Sequence, residues 1–127
     1  MFDSRQGRAV VRGLGHLEAS VMDRLWRWNR PVVVREVVED LRRERKIAYT
    51  TVMTVMDNLH NKGVLARERD GRAYRYRPAR SREEFAADLL EEVLQISEDR
   101  TAALLRFVER LSSEEIGRLR RALARAD

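Results

Sequence analysis

The stretch from Ile47 to Gly63 constrains the fold more than any other, because two patterns overlap in it. Val52, Val55, Met56 and Leu59 recur at i, i+3, i+4 and i+7, the spacing of an amphipathic helix over about residues 48–62. Lys62 and Gly63 close it, a basic last turn followed by a residue that tolerates a left-handed backbone. The opposite face holds Thr50, Thr51, Thr54, Asp57, Asn58 and Asn61. Thr is an indifferent helix former, so a helix built only for stability would carry Glu, Lys and Ala there. Short hydroxyl, methyl and amide groups suit base edges in a DNA major groove, where Asn bonds adenine and Thr meets the thymine methyl. Taken alone, the stretch fits a DNA recognition helix and a plain amphipathic helix with a polar face equally well.

The residues after it separate the two readings. Val64–Pro78 alternates in hydropathy about Asp70-Gly71, a strong hairpin signal. Tyr74 and Tyr76 point to one face of the second strand, Arg75 and Arg77 to the other, and Arg69 and Arg72 flank the turn. An arginine-tipped hairpin directly after such a helix is the wing of a winged helix-turn-helix.

Two helices precede this pair. The first spans about Gly15–Trp28, with Leu14, Leu17, Val21, Met22, Leu25 and Trp26 as its apolar stripe and Glu18, Asp23, Arg24 and Arg27 outside. Trp28 falls off that stripe and is expected at the helix end or against the wing. Asn29-Arg30-Pro31 breaks the helix, and Val32-Val33 can pair briefly as a strand. The second helix is expected over about Val34–Lys46, with Val34, Val37, Val38 and Leu41 inward. Its end carries the cluster Arg42-Arg43-Glu44-Arg45-Lys46, which suits either the phosphate backbone or a solvated helix terminus. Residues 1–13, with Arg5, Arg8 and Arg12, read as a flexible basic tail or as an arm onto phosphates.

Beyond Pro78-Ala79-Arg80 the pattern predicts three more helices. Ser81-Arg82-Glu83-Glu84 is a capping box opening a helix to about Ser97, with Phe85, Leu89, Val93 and Ile96 on its stripe. A helix after Asp99 carries Leu104, Leu105, Val108 and Leu111. Ser112-Ser113-Glu114-Glu115 then opens a last helix with Ile116, Leu119 and Leu123. Three short helices in 47 residues cannot bury that much apolar surface alone, so a second copy of the chain is expected to cover it. The expected fold class is mainly α with a small β-hairpin wing (α+β). Residues 14–80 form a winged helix-turn-helix domain and 81–127 a three-helix dimerisation arm.

Charge supports this division. Residues 1–80 hold 18 Lys/Arg against 10 Asp/Glu, residues 81–127 hold 8 against 11, and the net of +5 hides the contrast. A basic first part beside an acidic second part is expected if only the first meets a polyanion. Cys is absent, which removes disulfides, thiolate metal sites and thiol catalysis; His16 and His60 are too few for most catalytic or zinc constellations. No glycine-rich phosphate loop occurs. Neither an enzyme, a cofactor nor a metal is therefore expected. No run approaches the roughly 20 apolar residues of a membrane span, and no signal-peptide core follows the N-terminal arginines, so a cytoplasmic protein without membrane insertion is expected. The alternatives are a winged-helix protein-interaction module and a nonspecific DNA-binding protein.

The chain resembles the BlaI/MecI (penicillinase-repressor) family of bacterial winged-helix repressors from about Leu14 to Leu123. The resemblance is carried by Leu17-Glu18-Ala19-Ser20-Val21-Met22-Asp23-Arg24-Leu25-Trp26, by Tyr49–Leu59, by Lys62-Gly63-Val64-Leu65 and by Gly71-Arg72-Ala73-Tyr74-Arg75-Tyr76. It implies a repressor that binds a palindromic double-stranded operator as a homodimer. It also implies an upstream membrane sensor-protease system whose signal leads to cleavage in the dimerisation arm. On the residues' own chemistry, Thr50, Thr51 and Thr54 are expected to face bases, with Asn58 a weaker candidate. Lys62, Arg69, Arg72 and Arg75 meet phosphates or the minor groove, and Arg43 and Lys46 lie along the backbone. Phe85, Leu89, Val93, Leu104, Leu105, Val108, Ile116, Leu119 and Leu123 form the dimer contact. Three departures stand out. Asn58 replaces a frequent Arg, and Arg106-Phe107 stands where some members are cut at an Asn-Phe bond. With no Cys, the chain lacks the Cys-rich motifs of the copper-responsive branch.

Overall fold

A computed structural model describes residues 14–126, so the tail expected over 1–13 lies outside the described residues. The elements are α1 (His16–Trp28), α2 (Val34–Leu41), α3 (Tyr49–Asn61), β1 (Leu65–Asp70), β2 (Ala73–Pro78), α4 (Arg82–Leu94), α5 (Arg100–Val108) and α6 (Ser113–Ala126). They fall into two compact units that divide between Ala87 and Asp88.

In the first unit α1 starts where the Gly15 N–H donates to Glu18 Oε1 at 3.0 Å, satisfying one otherwise orphaned donor. It stops at Asn29, whose N–H makes the last i→i−4 bond to the Leu25 carbonyl and whose left-handed backbone (φ 51°) then turns the chain out of the helix. Val21, Met22 and Leu25 are fully shielded from water. Arg24 is not outside, as its charge suggested, but 5% exposed. Its Nε donates to Asp40 Oδ2 at 2.6 Å, its Nη2 to Glu44 Oε2 at 3.1 Å and its Nη1 to the Ser20 carbonyl at 3.0 Å. A buried guanidinium is tolerable only with its donors filled in this way.

Val32 does pair. Its N–H donates to the Tyr76 carbonyl at 2.9 Å and its carbonyl accepts from Tyr76 N–H at 2.7 Å, adding a one-residue third strand to the hairpin. The second helix ends at Leu41, short of Lys46. Leu41 is the last residue of the inward stripe, and the positions three and four further on are Glu44 and Arg45. No apolar group holds another turn to the core. Instead the N–H groups of Glu44 and Arg45 both fold back onto the Leu41 carbonyl, and Arg42 Nε donates to the Ile47 carbonyl at 3.1 Å.

Helix α3 buries Val52, Met56 and Leu59 completely, whereas Val55 is half-buried. Its end is a Schellman motif: Gly63 has φ 82°, its N–H donates to the His60 carbonyl, and the Val64 N–H donates to that of Leu59. β1 and β2 are antiparallel, with Asp70 opposite Ala73. The two-residue turn is thus Gly71-Arg72, one residue later than the Asp70-Gly71 signal suggested, and Gly71 takes the left-handed conformation (φ 65°). Leu65 and Tyr76 close the core beneath the sheet.

The division between the two compact units falls within α4, a few residues beyond the domain boundary expected at 80/81. Phe85 packs on Trp26 with ring centroids 5.6 Å apart, Trp26 Nε1 donates to the Arg80 carbonyl, and Arg82 Nη2 donates to Asp23. These contacts give the first turn of α4 to the winged-helix unit. They also set Phe85, expected on the dimerisation stripe, half-buried against the edge of that core. Both expected capping boxes form: Ser81 with Glu84, and Ser112 with Glu115. Asp99 caps α5 by accepting from the Ala102 N–H at 3.0 Å. No residue of α4, α5 or α6 is buried.

Candidate nucleic-acid interface

One turn of helix separates Thr50 from Thr54, and Asn61 follows two turns later on the same side, opposite the buried Val52–Met56–Leu59 stripe. These three side chains are exposed, and Thr51 and Asn58 flank them on one edge, also exposed. Tyr49 and Met53 join the exposed surface. Asp57, expected on the polar face, is drawn to the hairpin, where Arg67 Nη1 donates to its Oδ1 at 2.8 Å.

The hairpin distributes its arginines by register. Arg67 is opposite Tyr76 and Arg69 opposite Tyr74, whereas Glu68 is opposite Arg75 and Ala66 opposite Arg77. Directly opposed residues share a face, so Arg69 lies with the tyrosines and Arg75 on the other side. The Arg69 guanidinium stands 5.2 Å over the Tyr74 ring. Arg75 Nε donates to Asp70 Oδ2 at 2.6 Å, and Arg72 occupies the exposed tip. Lys62, expected on phosphates, donates to both carboxylate oxygens of Glu18 at 2.9 Å. Arg43 and Lys46 are exposed in the turn between α2 and α3, with Arg43 3.8 Å from Asp40. The wing is therefore not one arginine-lined edge. Its tip is open, one face stacks on tyrosine and the other is ion-paired.

Two carboxyls in this unit lie below their ordinary range. Burial alone raises Asp23, but hydrogen bonds and charge from Arg82 and Arg27 outweigh it. Burial likewise raises Glu36, and the Val33 N–H with Arg30 and the Arg75 charge outweigh that. A cleft of about 480 Å³ opens beside them, lined by Trp26, Arg30, Arg77, Arg80 and Arg82. Arg30 and Arg82 are held there by Glu36 and Asp23. Among the described residues no group of three or more His, Asp or Glu could hold a metal ion, and no helix is long and apolar enough to cross a membrane.

In the second unit the expected contact residues are uncovered or half-covered. Val93, Leu104, Leu105, Val108, Leu119 and Leu123 are exposed, and Ile116 is half-buried, as is Leu89. Arg106 and Phe107 are exposed within α5, with Arg106 3.5 Å from Glu109.

A family model described as penicillinase repressor matches residues 14–125. The chain belongs to the penicillinase repressor family. It is 47% identical over 119 residues to a transcriptional regulator BlaI of Mycobacterium tuberculosis, covering 91% of this chain and 86% of that one. The family is one of DNA-binding transcriptional repressors rather than enzymes, and the chain is such a repressor. The fold is shared more widely. A mutant Staphylococcus aureus MepR bound to an oligodeoxyribonucleotide matches with a TM-score of 0.53 at 15% identity, over 97% of this chain and 84% of that one. A MarR family protein from Bacillus stearothermophilus matches with a TM-score of 0.51 at 20% identity, over 97% and 79%. Both likenesses concern the winged-helix fold alone.

Proposed function

We propose that this penicillinase repressor family member acts as a cytoplasmic homodimer on a palindromic operator, controlling genes of the β-lactam-resistance type. The observation that carries the reading is the exposed Thr50–Thr54–Asn61 face of α3, set opposite a fully buried stripe and beside an arginine-tipped hairpin. Thr50, Thr51 and Thr54 read base edges in the major groove, with Asn58 at the margin. Arg72 at the tip, Arg69, Arg43 and Lys46 supply phosphate contacts, which give affinity and salt dependence. Lys62 and Arg75 join them by exchanging partners. Both cations are about half exposed in their pairs with Glu18 and Asp70; the exposed Arg75–Asp70 pair is worth only about 0–1 kcal/mol, so a phosphate can compete for Arg75 most readily.

The exposed faces of α4–α6 support pairing of two copies, which places two α3 helices on half-sites about 34 Å apart. A signal that separates the copies weakens binding steeply, because each then has half the contacts. A membrane sensor-protease acting upstream fits this scheme through the Arg106–Phe107 bond. That bond lies inside α5, so cleavage requires local unwinding first.

The test is fluorescence anisotropy of the full chain on its own upstream DNA and on scrambled DNA across a salt series. The reading predicts a preference of about 10³ or more for the upstream fragment. Equal, weak binding to both would favour the nonspecific or protein-binding alternative. In the same assay Arg72→Ala is expected to weaken all sequences and lower the salt slope by about 1; an unchanged slope would remove the tip from the DNA.

A further inference from the structure

Asp57 presents a chemical problem for a DNA-reading helix. It lies on α3 one turn beyond Thr54 and one turn before Asn61, so its carboxylate borders the face offered to a polyanion. An uncompensated charge there would repel phosphates whatever the sequence. The structure resolves the problem with a residue outside the set expected to touch DNA. Arg67 of β1 donates from Nη1 to Asp57 Oδ1 at 2.8 Å and to the Tyr76 hydroxyl at 3.3 Å. Its guanidinium lies 4.1 Å over the Tyr74 ring and 5.9 Å from that of Tyr76. Its side chain is 20% exposed.

We propose that Arg67 is a positioning residue that clamps the wing to α3 through Asp57, and so sets how phosphate and base contacts engage together. This rests on the DNA-binding reading above. The connection is continuous. Tyr76 is 3% exposed and its backbone is pinned to Val32 on both sides, so it is fixed to the core. Arg67 stacks over Tyr74 and bonds Tyr76, and from that seat it fixes Asp57. The wing tip at Gly71-Arg72 and the Thr face thereby share one reference frame. A planar guanidinium can stack on a ring and bond a carboxylate in its own plane, which an ammonium cannot do. Arg69 also sits on Tyr74, but its guanidinium is farther from the ring, at 5.2 Å.

The test uses the full chain as Arg67→Gln, Arg67→Lys, Asp57→Asn and the Arg67→Gln/Asp57→Asn double variant. Anisotropy on the upstream and scrambled DNA gives a selectivity ratio and a salt slope for each. The clamp predicts that every single variant lowers the ratio by about tenfold, the loss of roughly one good base contact held out of register. The double variant loses no more than the worse single, because both remove one interaction. The salt slope stays at the wild-type value, because the number of phosphates met is unchanged. Asp57→Asn changes one atom of a half-exposed residue, so it carries the test if Arg67→Gln lowers the thermal midpoint. The proposal is overturned if Arg67→Gln lowers the slope by about 1 while Asp57→Asn tightens all sequences equally. Arg67 would then be a phosphate contact and Asp57 a bare repulsive charge. Unchanged ratios in every variant overturn it too. A wild type with no preference would instead remove the operator reading on which it depends.

Discussion

In the unit ending at Ala87, Val21, Met22, Leu25, Met56 and Leu59 are fully shielded from water. From Asp88 onward no described residue is buried, and Ile96, Leu105 and Leu123 are 72%, 63% and 70% exposed. The composition of the helices does not explain the contrast, because both units carry amphipathic stripes at helical spacing. The difference is what lies opposite. α1, α2 and α3 close on one another and on a sheet, so each stripe has a protein partner within the chain. α5 and α6 have well-formed caps and exposed stripes. Caps set where those helices begin, but helices this short draw most of their stability from packing, and the proposed pairing of two copies would supply it. The first unit closes its core within the chain, and under the proposed pairing the second closes its own against another copy.

The largest effect that sharpens this contrast comes from truncating equivalent apolar residues in each unit. Met56→Ala should cost about 2–5 kcal/mol in urea unfolding, whereas Leu123→Ala should leave the unfolding of the first unit unchanged. Equal losses would mean the two units share one core. Next, Leu105→Glu should reduce pairing by about 100-fold, a hot-spot loss of roughly 2.7 kcal/mol, visible as a shift to monomer in sedimentation and as weaker operator binding. Dimers of undiminished affinity would place the contact elsewhere. Thr54→Ala should leave both folding and pairing intact while lowering operator preference by about 1–3 kcal/mol; unchanged selectivity would move the reading face off α3.

The smallest effect is on pH. Asp23 and Glu36 have folded-state pKa values below their unfolded ones. Their contribution is therefore present above about pH 4 and is lost as pH falls through the folded values. Thermal unfolding of the first unit should weaken on acidification, less so in an Asp23→Asn/Glu36→Gln variant. Identical acid profiles for variant and wild type would show that these ion pairs add nothing to the unit.

What was legible in the sequence follows from range. The stripe of α3, its Lys62-Gly63 close, the hairpin and the Ser81 and Ser112 capping boxes all rest on residues within a few positions of one another. The departures rest on distant partners. Arg24 reads as a surface charge until Asp40 and Glu44, 16 and 20 residues on, fold over it. The early end of α2 follows from the stripe running out at Leu41, a signal present in the sequence but masked by the helix-favouring Arg and Glu that follow. Phe85 carries the spacing of an outward stripe, and only its meeting with Trp26 places it in the first unit. Arg67 was one arginine among several in an alternating strand. Its contacts with Asp57, Tyr74 and Tyr76 exist only once register and helix packing are set.

The measurement closest to the centre of this account is sedimentation equilibrium of the full chain across a wide concentration range. The proposed pairing through the exposed faces of α4–α6 predicts a mass approaching twice the 14.9 kDa of one chain, falling toward that value on dilution. A mass of one chain at every concentration would contradict the account, leaving the second unit exposed by design and the operator read one half-site at a time.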